Sequence, residues 1–164
     1  IVPPAPLFLM RRFDHNAGFP NSPFLKRQST MLPKCEDGGK LILRLVLGLL
    51  ILFHGTWKLQ HGVGFIGDML VKHGLPGALG YLVYVGEVVA PLMIVLGILG
   101  RLGALIIVIN MLTALALVHT SQFFTANPKS GGYALELQFM YLFGALSLLA
   151  SGMGRFVIGG SKLN

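Results

Sequence analysis

This sequence is poor in cysteine and in charged residues. Its 164 residues include a single cysteine, Cys35, so neither an intrachain disulfide nor a CxxC redox pair is possible. Charged residues make up 12% of the chain, about half the usual share in a soluble globular protein. Apolar residues make up 54%. This balance is typical of a membrane protein.

Acidic residues are scarcer than basic ones. Six acidic residues stand against thirteen basic ones, which gives a formal net charge of +7. Such a surplus can indicate nucleic-acid binding, but most of these cations lie in tails and turns outside the apolar runs. We therefore interpret the surplus as a signal of membrane topology and of attraction to anionic lipid. The predicted partner is a lipid bilayer, and no nucleic acid is expected.

Four apolar runs dominate the rest of the chain. They cover residues 41–59, 77–99, 102–118 and 133–150. About 20 helical residues cross a hydrocarbon core of about 30 Å, so the predicted fold is all-α, a polytopic membrane bundle of four transmembrane helices. This domain spans residues 41–154, between a basic, Pro-containing tail (1–40) and a short basic tail (155–164). A short interfacial helix is expected between the first two spans.

Lysine and arginine near the span ends predict the orientation. One side holds Lys26, Arg27, Lys34, Lys40, Arg101, Arg155 and Lys162, and the other holds Lys58, Lys72 and Lys129. Both termini are therefore predicted to be cytoplasmic. The predicted location is the bacterial cytoplasmic (inner) membrane; an organelle inner membrane, reached through a transit peptide in the N-terminal tail, is the less favoured alternative.

Placing an ionisable side chain inside an apolar span costs free energy, so each such residue requires an explanation. Glu87 lies near the middle of the second span and Lys58 at the end of the first. His54, His119 and Glu136 fall towards the same outer side of the bundle. Two interpretations stay open: a buried site in which Lys58 or a histidine neutralises a carboxylate and protons move in steps, or a polar clamp that only fixes helix packing.

Helical spacing groups the polar and small residues into stripes. The stripe on the first span is Arg44, Gly48, Ile51, Gly55 and Lys58. The stripe on the second is Gly80, Tyr84, Glu87 and Pro91, and the stripe on the fourth is Glu136, Met140, Phe143 and Ser147. We predict that these faces pack inside the bundle, and that Asn110 of the third span makes an interhelical hydrogen bond. The histidines lack a tight ligand spacing, so no metal site is predicted.

The order of these residues resembles that of the DoxX family of small four-helix membrane proteins. The residues that carry the resemblance are Arg44, Gly48, Gly55, Lys58, Gly86, Glu87, Pro91, Gly97, Arg101, Ala104, Ala114, His119 and the Gly-Met-Gly-Arg run at 152–155. In the family this run is usually followed by a small hydroxylic residue and Asp, whereas here Val157 and Gly159 stand nearby.

The resemblance implies a redox link. Some members are subunits of thiosulfate:quinone oxidoreductases, and others are associated with quinone or thiol stress through partner enzymes. We therefore expect a redox-linked, quinone- or thiol-associated membrane subunit that acts with a partner oxidoreductase. A quinone is a possible cofactor, and no covalently bound one is implied. The alternative is a non-catalytic accessory or structural subunit of a larger membrane complex.

The family resemblance and the positions of polar residues in the spans each give candidate site residues. Matching family positions give Glu87, Lys58 and His119 as catalytic candidates, with Arg44 as a ligand-binding candidate. Their places in the spans add His54, Tyr84 and Glu136 as further ligand-binding candidates. Whether the chain is itself an enzyme stays open.

Overall fold

The computed structural model describes residues 23–128, 130–158 and 160, with side chains from Cys35 onward within those ranges. This part of the chain is helical. The α-helices are α1 (Pro23–His61), α2 (Gly64–Lys72), α3 (Ala90–Leu96), α4 (Gly100–Leu117) and α5 (Glu136–Ser151). A 3₁₀ turn (Gly77–Leu82) and a π-helical turn (Val85–Val89) precede α3, and a 3₁₀ turn (Thr120–Gln122) follows α4. The all-α class is confirmed, and α2 is the predicted short helix between the first two spans.

Three stretches are long and apolar enough to cross a bilayer. They are Cys35–His61, Gly77–Leu96 and Gly100–Leu117. They correspond to the first three predicted spans. The fourth predicted span contains α5, which is apolar but has only 16 residues. The protein is therefore an integral, multi-pass membrane protein.

The first helix is longer than the sequence predicts. The predicted N-terminal tail extends to residue 40, whereas α1 already begins at Pro23. Proline is tolerated at the first helical position, because its missing N–H would have no intrahelical partner there. Extending an existing helix is also far less costly than starting one. Residues 1–22, which the predicted tail also includes, lie outside the described part of the chain.

The buried faces of two helices match the predicted stripes. On α1, Arg44, Gly48, Ile51 and Gly55 are buried and Lys58 is half-buried. In the second span, Gly80, Glu87 and Pro91 are buried and Tyr84 is half-buried.

The predicted stripe on α5 is wrong. Met140 and Phe143 are 71% and 61% exposed, and the buried side chains are Tyr141, Leu142, Ala145 and Leu148. The prediction assumed that Glu136 lies on the packed face, but Glu136 is in the first turn of α5. A carboxylate is stabilised there by the positive end of the helix dipole, so its position does not indicate which face packs inside.

A local widening of the second span sets the position of Glu87. Pro91 has no N–H to give to the Glu87 carbonyl, and its ring would clash with that carbonyl in a regular α-helix. The helix instead forms a π-turn at Val85–Val89, in which the Ala90 N–H bonds to the Val85 carbonyl. Single π-turns within α-helices frequently mark functional sites.

Candidate functional site

A cavity of about 620 Å³ lies among the helices. Its wall is formed by α1, α2, the 3₁₀ and π-turns of the second span, α4 and α5. The volume falls within the range of small-molecule sites, about 300–1,000 Å³. Most of the lining is aliphatic or aromatic, with a small number of polar side chains: His54, Lys58, Glu87, Asn110, Thr113, His119, Gln138 and Tyr141.

Lys58 and Glu87 form an ion pair in this wall. Lys58 Nζ lies 2.5 Å from Glu87 Oε1, and the two side chains are 18% and 8% exposed. The Tyr84 hydroxyl donates to the Lys58 carbonyl at 3.2 Å, which fixes the last turns of α1 against the second span. The predicted neutralisation of Glu87 by Lys58 therefore has the geometry it requires.

Three buried polar atoms on the cavity residues have no hydrogen-bond partner. They are Glu87 Oε2, Asn110 Nδ2 and Gln138 Oε1. Leaving one such atom unpaired costs about 1–3 kcal/mol, and native proteins seldom do so. All three belong to side chains of the cavity wall, but each atom is itself enclosed by protein, so they would gain a partner only if these side chains turned.

Two histidine pairs complete the polar part of the wall. His119 Nδ1 lies 3.0 Å from Gln122 Oε1, and His119 Nε2 lies 3.4 Å from Gln138 Nε2. His54 Nε2 lies 3.4 Å from the Tyr141 hydroxyl. Within the described ranges, no group of three His, Cys, Asp or Glu side chains is placed to hold a metal ion.

The structure brings together four of the seven candidate residues. Lys58, Glu87, His54 and His119 all line the cavity. The other three do not line it. Tyr84 acts on the Lys58 backbone from outside the cavity, Glu136 is exposed with its carboxylate against Gly132, and Arg44 lies elsewhere in the bundle.

Sequence reasoning missed the roles of three cavity residues. Asn110 does not make the expected interhelical hydrogen bond through Nδ2; its side chain packs where a Cβ on Gly86 would stand. Gln138 and Tyr141 were not predicted as site residues, because the face with Glu136 was taken as the buried face of α5. Their spacing could have indicated the correct face, because they are three residues apart and share a helix face with the small Ala145.

Arg44 joins the ends of two helices. Its guanidinium donates to the Met153 carbonyl at 3.0 Å and to the Val95 carbonyl at 3.1 Å. Val95 is in the last turn of α3, and Met153 follows α5. Carbonyls at helix C-termini lack intrahelical partners and carry partial negative charge. Arg44, only 2% exposed, therefore stabilises both ends at once.

We expect Arg44→Lys to lower the free energy of unfolding by about 2 kcal/mol without changing ligand affinity. Lysine keeps the charge but cannot present two N–H groups in a fixed fork, so one buried carbonyl loses its donor. Arg101→Lys, at an exposed position, is the control. Thermal unfolding in one detergent measures both, and equal losses for the two variants would contradict this role.

Comparison with protein families gives one result. The DoxX family model matches residues 39–120, which is 82 of 164 residues or half of the chain. The matched range contains Lys58, Glu87, Asn110 and His119; Gln138 and Tyr141 lie beyond it. No curated protein and no solved structure matched the chain. The chain therefore belongs to the DoxX family.

Proposed function

We propose that this protein binds a quinone-class molecule in the cavity and serves, with a partner oxidoreductase, in a redox process at the bacterial cytoplasmic membrane. The observation that carries the proposal is the largely apolar cavity with a small number of polar side chains in its wall, among them the Lys58–Glu87 ion pair. A quinone has the matching form, a polar ring on a long apolar tail. Family membership supports the redox link.

The cavity is placed for a ligand that arrives through lipid. Its lining includes Leu82, Val85 and Ile109, each of which is also exposed on the outside of the bundle. In a membrane these side chains contact acyl chains. A lipophilic molecule therefore has a path from the bilayer between the second span and α4, and its tail can remain in the lipid.

The polar side chains of the cavity wall have different roles towards the quinone ring. A quinone, when bound, supplies two-electron, two-proton chemistry, and the electrons are exchanged with the partner oxidoreductase. A quinone ring has only hydrogen-bond acceptors, so donors of the wall such as Lys58 and Asn110 would hold its oxygens. The Lys58–Glu87 pair places an amino group and a carboxyl group side by side in the wall. His119, on the same wall, is placed to pass protons towards the polar loop that follows α4.

We also propose that α5 is the fourth span and that both termini are cytoplasmic. Leu137, Met140, Phe143 and Leu146 are exposed along α5, and such a face is stable only against lipid or a partner. At about 1.5 Å per residue α5 is about 24 Å long, so the turns beside it complete the crossing.

A reporter that is active only in the cytoplasm tests this topology. Fused after Gly160 it is expected to be active, and inserted at Gly131 it is expected to be silent. Activity at both positions would mean that α5 does not cross the membrane.

The alternative, a non-catalytic accessory subunit, is favoured by the length of α1. Its 39 residues are about 58 Å long, whereas the hydrocarbon core is about 30 Å thick. The N-terminal part of α1 therefore projects from the membrane and offers a surface for another subunit.

Purification from native membranes in mild detergent separates these functions. Mass spectrometry of the comigrating proteins, lipids and quinones is expected to find a retained quinone together with an oxidoreductase. Recovery without quinone, inside a complex whose redox centres all belong to other subunits, would contradict the proposal and favour the accessory subunit.

A further inference from the structure

The chain that follows α5 crosses the end of the bundle where α3 ends and α4 begins. Residues 152–158 are called the C-terminal strap below. Gly152 and Gly154 have φ angles of +77° and +76°, a left-handed conformation that other residues adopt only with strain. The strap then binds α1 through its main chain. The Met153 carbonyl accepts from Arg44 at 3.0 Å, and the Arg155 N–H donates to Asp37 Oδ1 at 3.2 Å.

The second half of the strap lies on the end of α3. Val157 packs where a Cβ on Gly97 would stand, and the Ile158 N–H donates to the Leu96 carbonyl at 3.2 Å. The backbone is therefore held in place, but Phe156 and Ile158 are 57% and 75% exposed. Large apolar side chains exposed together on a fixed backbone are typical of an interaction surface.

The strap lies at the level of the membrane interface. α4 begins at Gly100, and its 18 residues are about 27 Å long, close to the thickness of the hydrocarbon core, about 30 Å. The start of α4 is therefore near one boundary of that core. Arg101, the second residue of α4, lies against Gly152 at the start of the strap, with its guanidinium 3.3 Å from the place of a Cβ there.

Two arginines accompany this apolar surface. Arg101 and Arg155 are exposed, and neither forms an ion pair with another side chain that the structure describes. The nearby carboxylates are otherwise engaged, because Glu36 pairs with Lys40 and Asp37 accepts from main-chain nitrogen. Positive charge beside exposed apolar side chains is complementary to a lipid surface with anionic headgroups.

We propose that the C-terminal strap is a membrane anchor, in which Phe156 and Ile158 insert among acyl chains while Arg101 and Arg155 bind anionic phospholipid headgroups. This goes beyond the proposed function. None of the strap residues lines the cavity, and Lys58 lies about 21 Å along α1 from Arg44, which contacts the strap.

A single tryptophan reports the depth of the strap. Trp57 is the only one in the chain, so Phe156→Trp in a Trp57→Phe background gives one fluorophore. The full-length protein is placed in vesicles of phosphatidylcholine and phosphatidylglycerol, with or without bromine on the acyl chains near the headgroup. Leu105→Trp, at an exposed position within α4, gives the response of a lipid-facing ring.

Bromine is expected to quench the Phe156→Trp fluorescence at least half as strongly as that of Leu105→Trp, with little quenching by acrylamide in the water. A weaker response to bromine, with acrylamide reaching the ring, would overturn the anchor and leave the surface to a protein partner.

Native mass spectrometry tests the two arginines. Phosphatidylglycerol and phosphatidylcholine with identical chains are supplied in equal amounts, and the full-length protein is expected to retain several-fold more of the former. One basic residue near an anionic surface favours binding by about fivefold, so Arg101→Gln and Arg155→Gln are each expected to lower this ratio about threefold. Lys72→Gln, which removes an exposed cation from α2, is the matched control and should lower it less.

An unchanged ratio in both arginine variants, or an equal loss in all three, would overturn the headgroup site. Arg155→Gln keeps the main-chain bond to Asp37, so this variant decides the matter if Arg101→Gln does not fold.

Discussion

Replacing Lys58 by methionine is expected to lower the free energy of unfolding by about 3 kcal/mol. The variant leaves the Glu87 carboxylate, 8% exposed, without its only observed charge partner among the described residues. Glu87 is near the middle of its span and too short to reach water, so it must either stay charged at high cost or take up a proton.

The converse variant, Glu87→Gln, is expected to be milder, at about 1 kcal/mol. Lys58 is near the end of α1 and its side chain is 18% exposed, so the freed ammonium can extend towards the interface. The double variant, Lys58→Met with Glu87→Gln, should recover most of the stability lost in Lys58→Met, because no charge is then left buried.

Chemical denaturation of the four proteins in one detergent measures this cycle. The expected order of stability is wild type, Glu87→Gln, the double variant close to it, and Lys58→Met last. Equal losses for the two single variants would show that the carboxylate is not isolated from water, which would contradict the buried pair.

Replacing Gly55 by alanine is expected to separate α1 from the π-turn and to abolish ligand binding. A Cβ at this position would overlap the backbone carbonyl of Glu87 and also meet Val88. A backbone oxygen cannot rotate away, so the helices must move apart, at a cost of about 3 kcal/mol. Because that carbonyl belongs to Glu87 itself, the carboxylate moves with it.

Gly39→Ala is the matched control in the same helix. Nothing lies within 4 Å of a Cβ at Gly39, so alanine is expected to stabilise α1 by about 0.5 kcal/mol through its greater helix propensity. Thermal unfolding and quinone binding in nanodiscs give both readouts. Normal binding by Gly55→Ala would show that the close approach of α1 does not position Glu87.

Periodicity predicted the parts of this fold that depend on one helix at a time. The stripe through Gly48 and Gly55 identified the buried face of α1, because small residues are needed where backbones approach closely. Such a stripe is a local signal that can be read directly from residue spacing. The π-turn at Val85–Val89 was not predicted from the sequence, although Pro91 is its local cause.

Residue spacing could not predict how side chains from different helices are arranged. Arg44 was assigned to ligand binding on its family position, but its two carbonyl partners come from segments far along the chain. The pairing of Gln138 with His119 depends on how α5 is rotated against α4. Glu136 led to a wrong prediction of how α5 is rotated about its axis, since an acid in the first turn of a helix is stabilised without packing inside.

The most direct test of the central claim is photoaffinity labelling with an azido-quinone in nanodiscs, followed by mapping of the labelled peptides. We predict labelling on the cavity wall, in the segment from Leu79 to Glu87 and on α4 around Asn110, with competition by unlabelled quinone and a large reduction in Gly55→Ala. Labelling confined to lipid-facing residues such as Met140 and Phe143, without competition and unchanged in Gly55→Ala, would contradict a quinone site in this cavity.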